Sequence, residues 1–399
     1  MHIGINAQLL SFSQNYRNGG VSRYIRYLLT GLAKDPGQHQ YTVFVNGEET
    51  AERLPSHPQI TYVPEAWGES NPASRVAWEQ LTLPTIIRQK QIDVLHSPVN
   101  VLPERLPQNC AGVITLHDLA FLRFPRVLTR SKRLYHRTFT VRSLRRATLI
   151  MTVSESTRQD AITLVGVDPE QVRTVYLCID ERFSEMARTV EESAVTAFRE
   201  KYGLSQGFVL YLGTLEPRKN ITTLIDAYAH LRKHEMIQEK LVLAGGKGWL
   251  YDKIFEKVQH YGLESEVFFP GFVTDVEQPL WYRAASTFVY PSLYEGFGMP
   301  VAEALASGTP VVTSNVSSLP EAGDGVALSV NPNDVDALSD AIAQTLKDPS
   351  VLQNTRAQAA RVAEDFSQGR MVSETRAAYE QAAELHASRG GTKRTIFVP

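Results

Sequence analysis

The chain has 399 residues, 43% of them hydrophobic and 21% charged, a composition that excludes general disorder and predicts a soluble globular protein. At about 100–200 residues per domain, this length predicts two or three domains, each with its own core. Lys and Arg number 41 against 43 Asp and Glu, a net charge of −2, so the molecule as a whole is not built to bind nucleic acid.

The amino terminus, MHIGINAQLL, opens on a strand pattern instead of a secretory leader, and no apolar run approaches the roughly 20 residues needed to cross a bilayer. Strands are expected at Ile3–Asn6, Tyr41–Val45, Ile60–Val63, Val94–His96, Gly112–Leu116, Leu149–Val153 and Val172–Leu177. Helical patterns fall between them at Val21–Leu32, Val76–Arg88 and Ser131–Arg146. After KYGLSQG the pattern restarts with FVLYLG at Phe208–Gly213, followed by strands at Leu241–Ala244, Val267–Phe269, Thr287–Tyr290, Pro310–Thr313 and Ala327–Val330. Helices there are expected near Ile221–Lys233, Tyr251–Tyr261, Pro279–Ala285, Val301–Ala306 and Val335–Leu346. Alternation of this kind predicts an α/β protein of two Rossmann-like, doubly wound domains facing a cleft, with ligands at the carboxyl ends of the strands. Helices near Val351–Phe366 and Met371–His386 precede a polar tail expected to be flexible.

The stretch PSLYEGFGMPVAEA, after the Thr287–Tyr290 strand, has the glycine spacing of an anion site. Gly296 and Gly298 permit a close backbone approach, and Pro300 suits a helix start. The N–H groups of Phe297, Gly298, Met299 and Val301 then face a phosphate at a helix amino terminus. Glu295 and Glu303 bracket that loop; because carboxylates accept hydrogen bonds from hydroxyls, they predict a ligand with hydroxyls on both sides of a diphosphate. A nucleotide-sugar has that shape. The first strand of the second half runs into GTLEPRKN, where Arg218 and Lys219 are expected to neutralise the diphosphate. In the first half, Gly19 and Gly20 repeat the glycine-then-helix arrangement, and the strand GVITL delivers His117 and Asp118 at its carboxyl end.

Cys110 and Cys178 are the only cysteines and lie far apart, which predicts neither a disulfide framework nor a zinc site and fits a reducing, cytoplasmic setting. Asp334 and Asp336, the one DxD, precede a helix and read as capping, so no metal is expected. From Arg123 to Arg146 the chain carries Arg123, Arg126, Arg130, Lys132, Arg133, Arg137, Arg142, Arg145 and Arg146 with no acidic residue. Leu134, Val141 and Leu144 recur at helical spacing within it. Such a helix either rests on anionic lipid at the inner face of the plasma membrane, is simply solvated, or binds a phosphorylated acceptor.

Taken together, EGFGMPVAE with glutamates eight positions apart, GTPVV, Pro320–Glu321, NGGVSRY, LHDLAFLRFP, TVSESTRQD, GTLEPRKN, LVLAGG and PGFV resemble retaining glycosyltransferase family 4 over nearly the whole chain. The resemblance implies the glycosyltransferase-B fold, with residues 1–185 as the acceptor-side domain, completed by a helix at about 371–388. Residues 186–370 form the donor-binding domain, and 389–399 the tail. It implies that Glu295 holds hydroxyls of the donor sugar and Glu303 the ribose. Arg218 and Lys219 hold the diphosphate with the backbone of Phe297, Gly298 and Met299. His117 faces the reacting sugar, Gly20 approaches the phosphate, and the loop Gly271–Val273 meets the base. Two departures stand out: Thr214 replaces the arginine that many members carry after Gly213, and Leu177–Cys178 replaces an asparagine-glycine turn near the domain junction.

HDLAF…FP combined with GTLEPRKN is most similar to bacterial mannosyltransferases that build polysaccharide from GDP-mannose. The implied activity is retaining, metal-independent transfer of a hexose to a saccharide or lipid-linked acceptor, the nucleotide-sugar being substrate and not cofactor. A UDP-sugar donor, a nucleotide-sugar 2-epimerase and a non-catalytic nucleotide-binding module are the alternatives. A nicotinamide dehydrogenase is disfavoured because AGGKGW lacks the G-x-G-x-x-G spacing and its acidic partner.

Overall fold

The structure is a computed structural model and describes residues 1–12, 19–65, 72–124, 136–246, 248–249 and 251–392. The chain divides into two compact units, one of Met1–Cys178 joined by the chain from Gln368 onward, the other of Ile179–Ser367.

The first unit carries strands β1 (His2–Ala7), β2 (Gln40–Asn46), β3 (Ile60–Glu65), β4 (Val94–Ser97), β5 (Ala111–Leu116), β6 (Leu149–Thr152) and β7 (Val172–Thr174). They form one parallel sheet in the order β3-β2-β1-β4-β5-β6-β7. The second carries β8 (Phe208–Leu212), β9 (Lys240–Ala244), β10 (Val267–Gly271), β11 (Thr287–Tyr290), β12 (Val311–Ser314) and β13 (Leu328–Val330), parallel in the order β10-β9-β8-β11-β12-β13. These strands read as continuous apolar runs because helices cover both faces of the sheet, and every residue of β5, β8 and β11 is buried. In each sheet the winding direction reverses once, between β1 and β4 and between β8 and β11. Loops leaving such a pair diverge and open a crevice at the strand ends.

The division falls after Cys178 and not at 185/186. The helix Glu181–Thr189, capped by Asp180, packs with its fully buried Phe183 against Tyr282, and the Ile179 N–H donates to the Phe366 carbonyl at 3.0 Å. These contacts bind residues 179–189 to the second unit. The return to the first unit likewise begins at Gln368 instead of 371. Its Nε2 donates to the Tyr27 carbonyl and to Thr30 Oγ1, both at 2.8 Å, seating the Gln368–Thr392 helix on the Gly20–Lys34 helix. Close approach of the two helices depends on Gly31, where a Cβ would stand 2.5 Å from Val372 Cγ2. No helix among the described residues is long and apolar enough to cross a membrane.

Candidate active site

In the second unit, the loops that follow β8 and β11 meet through side chains. The chain leaves β8 through Gly213 and Thr214, makes a single 3₁₀ turn at Pro217–Lys219, and enters the helix Ile221–Lys233 through Asn220, which has a left-handed backbone with φ +58°. Lys219 is 7% exposed and Glu295, from the β11 loop, 8%. Lys219 Nζ donates to Glu295 Oε1 at 2.6 Å and to Tyr290 Oη at 2.7 Å. Arg218 Nη1 donates to Glu295 Oε2 at 2.9 Å and to the Tyr294 carbonyl at 2.6 Å, while its Nε and Nη2 donate to Glu216 Oε1 at 3.1 and 2.8 Å. Two cations and two carboxylates therefore form one cluster with no net charge.

Burial pushes the Glu295 carboxyl up, but Lys219 and Arg218 more than offset it and hold it down at about 2. For Arg218, burial favours the neutral form, and Glu295 and Glu216 outweigh that to raise the guanidinium above its ordinary value. Glu295 is thus an ionised, acceptor-only group. Each of its oxygens takes one strong charge-assisted bond.

The Glu295 backbone is pinned as firmly as its side chain. Its N–H donates to Ser317 Oγ at 3.0 Å, and Ser318 Oγ bridges the carbonyls of Glu295 and Phe297 at 3.0 and 2.8 Å. Gly298 then adopts φ +105°, where a Cβ would stand 2.9 Å from Leu319 Cδ2, so glycine is required on both counts. The helix Met299–Ala306 starts immediately after it. No backbone carbonyl among the described residues accepts from the amides of Gly298 or Met299, whereas the Val301 N–H is already donated to the Gly298 carbonyl at 2.9 Å. Val301 is accordingly removed from the expected anion donors, and Pro300 is the second helical residue, not the first. Glu303, inside this helix, is 1% exposed and accepts from Tyr282 Oη at 3.1 Å.

Thr214 is exposed beside three loops laced together by their backbones. Leu215 N–H donates to the Gly246 carbonyl at 2.9 Å, and Gly245 N–H to the Gly271 carbonyl at 2.8 Å. Within Gly271–Val273 the exposed side chain is Phe272, at 58%, while Val273 turns inward at 5%.

In the first unit, His117 leaves the end of β5, next to the β1/β4 reversal. Its Nε2 donates to the Pro98 carbonyl at 2.9 Å, which leaves Nδ1 as an acceptor. Tyr24 packs edge-on against the imidazole, with ring centroids 5.2 Å apart. Burial lowers the His117 pKa against the opposing pull of the Pro98 carbonyl and Asp118, so the ring is neutral. Behind it runs a buried string: Tyr24 Oη bonds Thr115 Oγ1 at 2.9 Å, Thr115 Oγ1 bonds His96 Nε2 at 2.8 Å, and His96 Nδ1 bonds Tyr379 Oη at 2.8 Å. Gly20 is the first residue of its helix and exposed, and a Cβ there would meet nothing within 4 Å among the described residues.

Residues 18–183 match the family described as Glycosyltransferase Family 4, and residues 195–364 match Glycosyl transferases group 1. The O-antigen chain mannosyltransferase B of Escherichia coli is 37% identical over 72% of this chain and 74% of that protein. The chain belongs to glycosyltransferase family 4. Another relative of this family 4 chain, the MMP alpha-(1->4)-mannosyltransferase of Mycolicibacterium hassiacum, is 30% identical over 58% of the chain and 54% of that protein. A glycosyltransferase crystal structure from Rickettsia africae superimposes with a TM-score of 0.71 at 15% identity, covering 96% of this chain and 98% of that one, which places the fold in the glycosyltransferase-B class.

For this family 4 enzyme the structure joins Arg218, Lys219 and Glu295 directly, and adds partners that motif reading overlooked. Glu216 was visible in GTLEPRKN as an acid two residues from an arginine. Tyr290 closes a strand, and Ser317 and Ser318 carry no sequence signal at all. The cations are not standing free for a diphosphate, as their strand-end position suggested, because Glu216 and Glu295 already balance their charge. Asp334 accepts from the Ala337 N–H at 2.9 Å, the capping role expected of it.

Within the basic stretch, residues 125–135, with Arg126, Arg130, Lys132, Arg133 and Leu134, lie outside the described residues, as does the Arg137 side chain. The tail beyond 392 lies outside them too. The remaining cations are engaged inside the first unit: Arg123 pairs with Asp160, Arg142 and Arg146 with Glu104, and Arg145 donates twice to the Val165 carbonyl. They do not form a free basic face.

Proposed function

We propose that this enzyme transfers a hexose, mannose from GDP-mannose, to a saccharide or lipid-linked acceptor with retention of anomeric configuration and without a metal ion. The observation that carries the proposal is the ionised Glu295, fixed by Arg218 and Lys219 beside the unclaimed amides of Gly298 and Met299. Such a site offers carboxylate acceptors to sugar hydroxyls, and an ammonium plus a helix amino terminus to phosphate oxygens. The names of the two relatives above support mannose as the sugar.

In the proposed reaction the bond between the anomeric carbon and the diphosphate oxygen breaks while the acceptor oxygen bonds to the same face of that carbon. The acceptor's hydroxyl proton passes to the departing phosphate oxygen. The main demand on the protein is to stabilise charge growing on the leaving diphosphate, which Lys219 and the Met299–Ala306 helix terminus meet. His117, neutral and presenting Nδ1, accepts a hydrogen bond from a hydroxyl of the reacting sugar. Glu303, 1% exposed and bonded by Tyr282 Oη, is the carboxylate proposed for the ribose hydroxyls.

The test is transfer from GDP-mannose to an oligosaccharide acceptor. Glu295→Ala should abolish transfer and leave GDP binding within about threefold of wild type; wild-type transfer rates in that variant would overturn the assignment. Thermal shift with GDP, UDP and ADP identifies the base, because a ligand that binds only the folded state raises its apparent stability. Incubation with the nucleotide-sugar alone separates transferase from epimerase, since only an epimerase converts the sugar without an acceptor.

A further inference from the structure

Arg218 is bound to the β11 loop at three consecutive residues. Its carbonyl accepts from the Leu293 N–H at 2.9 Å, and its Nη1 donates to the Tyr294 carbonyl and the Glu295 carboxylate. On its other side, Glu216 takes Nε and Nη2. Of the five N–H groups on a guanidinium, four are therefore spent within the protein. Its positive charge lies between two carboxylates, at 2.8 and 2.9 Å. Lys219 is placed differently, with a single carboxylate partner at 2.6 Å and one ammonium N–H still to give.

We infer that Arg218 is a positioning residue, a splint held by Glu216 that sets the loop Leu293–Glu295 and aims the Glu295 carboxylate, and that Lys219 is the one side-chain cation of this pair that meets the donor's phosphates. The inference rests on the nucleotide-sugar reading proposed above and assigns the labour within that site. A planar, forked cation suits the task, since it can bridge a carbonyl and two carboxylates at fixed angles, which an ammonium cannot. The absence of an arginine at Thr214 follows the same division: the diphosphate is met by one lysine and a helix terminus, and the other cation shapes the sugar site.

The test compares GDP affinity by calorimetry with kcat for transfer in Arg218→Gln, Glu216→Gln and Lys219→Met. A splint predicts that Arg218→Gln lowers kcat about tenfold or more while GDP Kd stays within about threefold, and that Lys219→Met weakens GDP about tenfold or more. In a Glu295→Gln background, Arg218→Gln should then lower residual transfer by less than about threefold, because the group it positions is gone. Should Arg218→Gln not fold, Glu216→Gln decides the matter. It removes one of the two carboxylate charges that hold the guanidinium, so a splint loses kcat with GDP Kd nearly constant, whereas a phosphate ligand released from a competing carboxylate binds GDP about tenfold tighter. Equal loss of GDP affinity in Arg218→Gln and Lys219→Met overturns the inference. Failure of the wild-type protein to bind GDP, UDP or ADP strikes the nucleotide-sugar reading instead.

Discussion

The two units share one architecture and place their polar groups at the same point of it, where the sheet reverses direction, yet they stabilise those groups in opposite ways. The first unit buries a string of neutral hydrogen-bonding groups from Tyr24 to Tyr379, with His96 fully enclosed and its pKa pushed down to about 3 by burial and by His117. The second holds four charges that cancel, with Lys219 and Glu295 buried and Arg218 and Glu216 partly exposed. A neutral string loses only the local bond when one member is deleted; an ion cluster is left with an uncompensated charge.

Deleting one charge should therefore produce the largest effect. Lys219→Met is expected to destabilise the second unit by about 3 kcal/mol, because Glu295 loses its shortest ion pair in a buried setting, as measured by urea denaturation. Gly298→Ala should cost about 2 kcal/mol in the same assay, combining an unfavourable φ with the contact to Leu319. In the first unit Thr115→Val, which removes the hydroxyl shared by Tyr24 and His96, should cost about 1–2 kcal/mol. A loss from Thr115→Val equal to that from Lys219→Met would erase the distinction between the units.

Acid should separate them by pH window. His96 and His117 are held neutral, so the unfolded chain takes up protons that the folded one refuses, and stability is complete above about pH 6.5 and declines as pH falls below it. For His96 the slope is about 1.4 kcal/mol per pH unit, continuing toward its folded value of about 3. Glu295 works lower. Its ionised form is favoured in the fold, so its contribution is present above its ordinary value of 4.5 and is lost only as pH falls toward about 2. Urea midpoints in half-unit pH steps should show His96→Gln flattening the curve between pH 6.5 and 4.5, and Glu295→Gln altering it below 4.5.

Anionic liposomes test the lipid reading of residues 123–146. Charge reversal at Lys132, Arg133 and Arg137 should abolish flotation with the vesicles, and flotation that persists counts against that reading.

The sheets were legible because buried parallel strands leave unbroken apolar runs, as in GVITL and FVLYL, bounded by glycine or polar residues. Gly298 was legible for a related reason: a left-handed backbone beside Leu319 strongly favours glycine. Boundaries were less so. Nothing local in Ile179–Thr189 announces that Phe183 packs on Tyr282, about a hundred residues onward in the chain. In the site, Arg218, Lys219 and Glu295 were each visible in a motif, but as separate parts with separate ligands.

The sequence alone determined the repeated α/β architecture, the strand ends that bear chemistry and the residue types available there, since hydrophobic period and backbone freedom are properties of short segments. Only the tertiary structure decided which of those residues spend their charge on one another. That outcome depends on desolvation and on distances between loops some 75 residues apart. It joined two apparently free cations, a lone glutamate and the overlooked Glu216 into one neutral cluster.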